Sequence, residues 1–238
     1  MRFVPILILL TFRWLNSHSQ TCVVAKIQNN DTIFLGADTR VSHVQFNETK
    51  KKYDTINFTG AKLFNTSRYF YGVSGLMIET QASIADSIFK LGYPSEQSVL
   101  LYQKAFFNAF ISHLSNFKLT TLEEITQKEG QICETTVCLF DEKSSPIIWT
   151  FTIGLENPNS NDPRLVALKS RTVSDSTIVN GFNDHAGPIK DDPSVWKKGG
   201  VNGIRTLISL EADKHQLDVS RPIDIFVITR NSHSLTRY

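Results

Sequence analysis

The chain has 238 residues, a net charge of +2, 41% hydrophobic and 20% charged residues, and three cysteines. Such a composition is typical of a globular chain with a core of its own, and the length fits one sizeable domain. A charge this close to zero excludes a strongly basic nucleic-acid-binding protein. Three cysteines are too few for a disulfide framework.

The first twenty residues have the three-part pattern of a secretory signal peptide. Arg2 supplies a positive charge, Phe3 to Phe12 forms an apolar run, and small polar residues follow. The run is too short for a transmembrane helix, which needs about 20 apolar residues. We expect residues 1–20 to be a cleaved leader and 21–238 to be the domain of a secreted or periplasmic protein. Ser17-His18-Ser19 favours a cut one residue earlier, and a retained first strand or helix is the alternative.

Two apolar, β-rich segments follow the leader. Thr21 to Gln28 and Thr32 to Asp38 are separated by Asn29-Asn30-Asp31, a pattern typical of a β-hairpin. The polar stretch from Ser42 to Asn57 comes next and contains Lys50-Lys51-Lys52, the one basic run of the chain. We expect this stretch to be a solvated loop rather than a binding patch, because the basic run lies in a polar stretch.

Hydrophobic periodicity predicts the rest of the chain in order. A second hairpin is expected to close at Ser74-Gly75, at a turn into the first helix. The elements are strands Ala61 to Asn65 and Tyr69 to Val73, a helix from about Leu76 to Leu91, a helix after Pro94 with a core-facing aromatic stripe from Val99 to Phe117, a short helix Leu122 to Glu129, strands Ile132 to Phe140, Ile147 to Ile153, Leu165 to Ser170 and Ser176 to Val179, a helix from about Gly203 to His215, and a strand Ile223 to Thr229. Runs of strands followed by helices predict an α+β fold with antiparallel sheets, compatible with a four-layer αββα sandwich.

Four short segments at the boundaries of these elements carry the functional signal. They are Thr21-Cys22-Val23-Val24-Ala25, Gly36-Ala37-Asp38-Thr39-Arg40, Gly60-Ala61-Lys62-Leu63-Phe64 and Gly72-Val73-Ser74-Gly75. In this order they resemble the signature segments of proteasome β-type subunits, a branch of the N-terminal nucleophile hydrolases. The resemblance implies an αββα sandwich and hydrolysis of a peptide or small amide by an N-terminal threonine. A homo-oligomer is a further possibility, and no cofactor is expected.

Elementary chemistry agrees with this resemblance. Removal of the leader would give Thr21 a free α-amine, with a reference pKa of about 7.7–8.0, that serves as base for its own hydroxyl. The positive charge of Lys62 would keep these groups in their reactive form, and Asp38 would hold the Lys62 ammonium in place. Arg40 would be a structural brace. The backbone N–H of Gly75, expected at a helix start, is the candidate oxyanion donor.

The chain departs from the family pattern in three places. The Ser42 to Asn57 stretch enlarges the separation of Asp38 and Lys62 in the sequence. It lies where members of the family have residues that line the substrate pocket. Asp218-Val219-Ser220-Arg221-Pro222 replaces an Asp and a Ser followed by two glycines, so Ser220 is the candidate catalytic serine with altered spacing. Asn180-Gly181 is the counterpart of a serine and glycine turn.

Each signal also has a plain structural explanation. Asp38 and Arg40 are compatible with a surface pair, Lys62 with an exposed strand lysine, and Ser74-Gly75 with a helix cap. Two other functions therefore stay open: a non-catalytic sandwich that serves as an interaction or assembly scaffold, and an amidase that uses Cys22 after cleavage one residue later.

Cysteines and histidines indicate no further site in the sequence. Cys133 and Cys138 cannot form a disulfide if their segment is one extended strand, since bridged Cα atoms must lie within about 7 Å. The six histidines show no metal-ligand spacing with each other or with the cysteines. No metal site is expected.

Overall fold

The structure is a computed structural model and describes residues 18–19, 21–47, 52–76, 78, 80–114, 131–156, 164–173, 175–216 and 219–238. Most of the expected leader, the short helix expected at Leu122 to Glu129, and Phe117 and Asp218 lie outside these ranges. The strands are β1 His18–Ser19, β2 Cys22–Gln28, β3 Thr32–Asp38, β4 Arg40–Asn47, β5 Lys52–Thr59, β6 Leu63–Thr66, β7 Tyr69–Leu76, β8 Gln131–Phe140, β9 Pro146–Glu156, β10 Arg164–Thr172, β11 Thr177–Gly181, β12 Ile223–Thr229 and β13 His233–Arg237. The helices are α1 Gln81–Phe89, α2 Ser95–Leu114, α3 Ala186–Ile189, α4 Pro193–Trp196 and α5 Gly200–Lys214.

The strands form two antiparallel sheets. The first sheet has eight strands in the order β10-β9-β8-β7-β1-β4-β5, with β6 also paired to β7. The second sheet has five strands in the order β11-β2-β3-β12-β13. The short strand β1 therefore lies inside the first sheet, between β7 and β4, whereas β2, which follows it in the chain, belongs to the second sheet.

Three apolar clusters show how the layers are stacked. One lies between the first sheet and helices α1 and α2 and contains the predicted aromatic stripe, of which Tyr102, Phe106 and Phe110 are buried. A second lies between the two sheets, and a third lies between the second sheet and α5. The order of layers is helix, sheet, sheet, helix, so the predicted αββα sandwich is confirmed.

The central strand β2 shows why this arrangement is stable. Val23, Ala25 and Ile27 belong to the cluster between the sheets, while Cys22 and Val24 belong to the cluster against α5. Both faces of the strand are therefore covered, which explains its continuous run of apolar residues. Burying each of the larger side chains contributes about 1.5–3 kcal/mol.

The polar stretch Ser42 to Asn57 is not the predicted loop. Most of it forms the β4–β5 hairpin, in which Val44 pairs with Thr55 and Phe46 with Tyr53. The polar and charged residues between Ser42 and Asn57 show no clear strand period in the sequence, so the antiparallel pairing of the two arms was missed.

One further prediction is wrong, three elements were missed, and one prediction is confirmed. The first helix begins at Gln81 rather than near Leu76, because β7 continues through Gly75. Helices α3 and α4 and strand β13 were missed, since two helices are only four residues long and β13 is exposed along its length. Cys133 and Cys138 lie on the single strand β8, and both thiols are free, as expected.

Candidate active site

Thr21 lies at the point where the chain passes from one sheet to the other. On one side, Ser19 of β1 pairs with Gly75 of β7 in the first sheet. On the other side, Val23 of β2 pairs with Ala37 of β3 in the second sheet. Thr21 is buried at this junction, and its carbonyl accepts a hydrogen bond of 2.9 Å from the backbone N–H of Phe182.

A buried ion pair lies beside this junction. The Lys62 ammonium is 3.2 and 3.1 Å from the two carboxylate oxygens of Asp38, and neither side chain is exposed. Asp38 is the last residue of β3, and Lys62 immediately precedes β6. The two predicted residues are therefore in contact, and the alternative of an exposed lysine or a surface pair is wrong.

The Asp38 carboxylate also binds three backbone N–H groups. Its Oδ1 accepts from Cys22 at 3.1 Å, and its Oδ2 accepts from Arg40 at 3.0 Å and from Ser220 at 3.3 Å. One side chain thus joins the start of β2, the start of β4 and the segment before β12. Such a complete set of partners is what a carboxylate needs in order to remain buried.

Burial acts on both charges of the pair in opposite directions. Burial lowers the pKa of the Lys62 ammonium, and the Asp38 carboxylate opposes that shift. Burial raises the pKa of the Asp38 carboxyl, and Lys62 together with the N–H groups of Arg40 and Cys22 opposes it. Each charge therefore depends on the other, and loss of either partner would leave a group that favours its neutral form.

Arg40 has the bracing position that was predicted, although it begins β4 rather than continuing β3. Its Nη1 donates to the carbonyl of Gln216 at 2.6 Å. The neighbouring Thr39 hydroxyl donates to the carbonyl of Pro222 at 2.9 Å. These two contacts attach the segment around Ser220 to the end of β3.

Ser220 reaches the site through its backbone. Its N–H is the group that contacts Asp38, and the residue is half-buried. The serine thus contacts the carboxylate of Asp38 through its amide, and its catalytic role stays a prediction.

Gly75 lies inside β7 and not at a helix start, so that part of the prediction is wrong. Its φ is +82°, and a Cβ at this position would lie 2.3 Å from the carbonyl oxygen of Ile132. Only glycine tolerates this combination. Gly75 pairs with Ser19 on one side and Cys133 on the other, which keeps its backbone between β1 and β8.

The Asn180-Gly181 turn, which the sequence indicated, is held by Glu134, which the sequence did not indicate. Gly181 has a φ of +77°, and a Cβ there would lie 1.8 Å from the carbonyl oxygen of Thr21. Its N–H donates to Glu134 Oε2 at 2.6 Å, and the Ser74 hydroxyl lies 3.5 Å from the same oxygen. Glu134 thus holds the turn that packs against Thr21. Its signal in the sequence was a lone charge within the apolar strand β8.

Cys22 differs from Thr21 in its surroundings. Its side chain belongs to the apolar cluster between the second sheet and α5, with Ile204 and Ile208. Its N–H is bound to Asp38. By both contacts, Cys22 is a packed residue of the core.

A group that could hold a metal lies elsewhere in the described part of the chain. His185, Glu211 and His215 each offer one ligand atom, and these atoms lie within 4.8 Å of one another. Spacings among histidines and cysteines do not reveal this group, because one ligand is a glutamate: Glu211 and His215 stand four residues apart on α5.

Comparison with known proteins supports the fold. No family model matches the sequence, and no curated protein matches it. Among solved structures, "Anbu (ancestral beta-subunit) from Yersinia bercovieri" superimposes with a TM-score of 0.55 at 11% identity, covering 91% of this chain and 86% of that one. "Thiobacillus denitrificans BPH in complex with Epoxomicin" has a TM-score of 0.45 at 13% identity, covering 87% and 98%.

At these identities the first likeness defines a fold and not an activity. The chain is an α+β sandwich of four layers, helix, sheet, sheet, helix. Its particular similarity in fold is to the ancestral β-subunit. Among the described helices, none has the length and apolar character needed to span a bilayer.

Proposed function

We propose that this protein is an exported peptidase or amidohydrolase whose nucleophile is Thr21, made N-terminal by removal of residues 1–20. The observation that carries the proposal is the fully buried Lys62–Asp38 pair at the junction that contains Thr21. A lysine is rarely buried without a specific duty, because desolvation of its charge is costly. The contact of Asp38 with the N–H of Cys22, the residue after Thr21, supports the role that the resemblance implies for the pair.

The proposed chemistry is acyl transfer to a hydroxyl. The Thr21 Oγ attacks the amide carbonyl carbon while the free α-amine accepts its proton. Collapse of the tetrahedral intermediate breaks the C–N bond, and the proton passes to the leaving amine. Water then hydrolyses the ester on Thr21. The charge of Lys62 favours the reactive form of the nucleophile, and the backbone at Gly75 is the proposed oxyanion donor.

The position of β1 favours a peptide as substrate. In the full chain β1 fills the space between β7 and β4, antiparallel to both. Loss of the leader would leave two strand edges facing each other, one of them beside Gly75. An extended peptide can pair with such edges through its main chain. Its scissile bond would then lie where the bond before Thr21 lay.

The first experiment determines the N-terminus of the exported protein and its reaction with an electrophile that traps N-terminal threonines. We expect a mature chain that begins at Thr21 and is labelled once. Thr21→Ala should abolish labelling with an unchanged circular dichroism spectrum, and Thr21→Ser should keep part of the activity. Cys22→Ser should remain labelled.

The outcomes separate the alternatives. A start at residue 20 that is never trimmed would contradict the proposal, because the amine of Thr21 would then be an amide. Labelling lost in Cys22→Ser but kept in Thr21→Ser would transfer the nucleophile to Cys22.

A non-catalytic scaffold is the second candidate, and the three backbone contacts of Asp38 favour it. These contacts alone give the buried pair a structural role, because they join three segments of the chain. A chain that begins at Thr21 but shows neither labelling nor amidase activity would support this candidate. Its size in solution would then show whether copies assemble into a homo-oligomer.

A further inference from the structure

A second polar cluster lies at the C-terminal end of α5, away from the Asp38 pair. Glu211 and His215 are four residues apart, so they share one face of the helix end. His185 immediately precedes α3, which packs against α5. His215 Nε2 lies 3.5 Å from Glu211 Oε2, and the two histidine rings are 5.6 Å apart between centroids.

The two oxygens of Glu211 have different surroundings. The side chain is fully buried, and Oε1 accepts from the N–H groups of His185 at 2.9 Å and Ala186 at 2.7 Å. Oε2 is buried and makes no hydrogen bond, and the same is true of His215 Nε2. An unsatisfied buried polar group costs about 1–3 kcal/mol, so a pair of them facing each other indicates an absent partner.

We propose that His185, Glu211 and His215 bind a divalent transition-metal ion of the zinc class. Two imidazoles and one carboxylate are a common ligand set for zinc. In a tetrahedral site with ligands about 2.0–2.1 Å from the metal, neighbouring ligand atoms lie about 3.3–3.4 Å apart. The 3.5 Å between His215 Nε2 and Glu211 Oε2 is close to that spacing.

The backbone contacts of Glu211 already orient the site. With Oε1 fixed by two N–H groups, Oε2 is held toward His215, in the way that outer contacts orient metal ligands. Asp184 Oδ2 lies 3.9 Å from His215 Nε2 and is placed to complete the coordination directly or through water. A hard cation such as Mg²⁺ is not expected to prefer two imidazoles.

The cluster is connected to Thr21 by one short segment. The ring of Phe182 lies 4.3 Å from that of His215 between centroids, and the Phe182 N–H binds the Thr21 carbonyl. A metal on His185 and His215 would fasten this segment at its far end. The metal site itself does not depend on whether Thr21 is a nucleophile.

The test is calorimetric titration of the chelator-treated protein with zinc chloride alone, followed by the absorption spectrum with Co²⁺. We expect one ion per chain and a tetrahedral cobalt spectrum. His215→Gln and Glu211→Gln should each weaken zinc binding by about tenfold or more. Glu211→Gln keeps an oxygen for the two backbone N–H groups, so it should remain folded.

The control is His233→Gln, which removes an exposed histidine of β13 and should bind zinc like the wild type. Circular dichroism verifies that each variant is folded. No zinc binding, equal binding in all three variants, or stronger binding of Mg²⁺ than of Zn²⁺ would each overturn the proposal.

Discussion

Two buried carboxylates, Asp38 and Glu211, solve the same physical problem differently. Neither is exposed, and both bind backbone N–H groups of distant segments. Asp38 has a cation against both of its oxygens, whereas Glu211 has one satisfied oxygen and one without a hydrogen bond. A complete set of partners therefore fixes a charge in place, while an incomplete set next to imidazoles leaves room for a cation.

The largest effect is expected from removing the cation of the complete site. Lys62→Met should lower the free energy of unfolding by about 3–5 kcal/mol, because Asp38 becomes a buried charge without its counterion. Urea denaturation measures the loss.

The double variant Lys62→Met with Asp38→Asn is the matched control. Removing both charges should recover part of the lost stability. A double variant that is as unstable as the sum of the two single variants would show that the pair is not coupled.

A second prediction concerns the segment that connects the two regions. Gly181→Ala should cost more than the roughly 1–3 kcal/mol of its backbone conformation alone, because the added Cβ meets the Thr21 carbonyl. Gly92→Ala is the control, since Gly92 also has a positive φ, of +73°, but no atom lies within 4 Å of the added Cβ. Thermal unfolding of both variants separates the effect of the contact with the Thr21 carbonyl from that of the backbone conformation. Equal losses of stability in the two variants would contradict the prediction.

A third prediction tests the incomplete site without metal. Glu211→Gln should change the stability of the metal-free protein by at most about 1 kcal/mol, since the oxygen that is replaced makes no hydrogen bond. Asp38→Asn should cost about 3–5 kcal/mol, because Lys62 loses its counterion. Parallel urea titrations measure the free energy of unfolding of the two variants. Similar losses in both would show that the two sites do not differ in this way.

The smallest effect is expected at Ser220. Ser220→Ala keeps the N–H that contacts Asp38, so stability should change by less than about 0.5 kcal/mol. An assay of peptide hydrolysis by this variant then tests the predicted catalytic role of Ser220. Unchanged turnover would mean that Ser220 acts only through its backbone. A large loss of turnover would show that its hydroxyl takes part in catalysis.

Local patterns in the sequence predict much of this fold. The first hairpin, the aromatic stripe of α2 and the strand Ile223 to Thr229 follow from period and turn residues, because neighbours in the chain decide them. Asp38 and Lys62 were paired only through the resemblance to a family. Nothing local in either segment reveals that their side chains meet across 24 positions.

Features that depend on distant contacts were not predictable in this way. Gly75 looked like a helix start because its strand partners, Ser19 and Cys133, are remote in the sequence. Glu134 belongs to the site only because β8 lies beside β11 in the fold. His185 joins Glu211 through backbone N–H groups, a contact that no spacing rule contains.

The two-residue strand β1 has a consequence for the β4–β5 hairpin. Within the described ladders, β4 pairs with β1 and β5, so β1 is the link that joins this hairpin to the rest of the first sheet. Cutting the chain before Thr21 would remove the link. The amides of the hairpin would then exchange with deuterium faster, while those of β8 and β9 would keep their protection. Hydrogen exchange at the hairpin would therefore report how much of a sample has been processed.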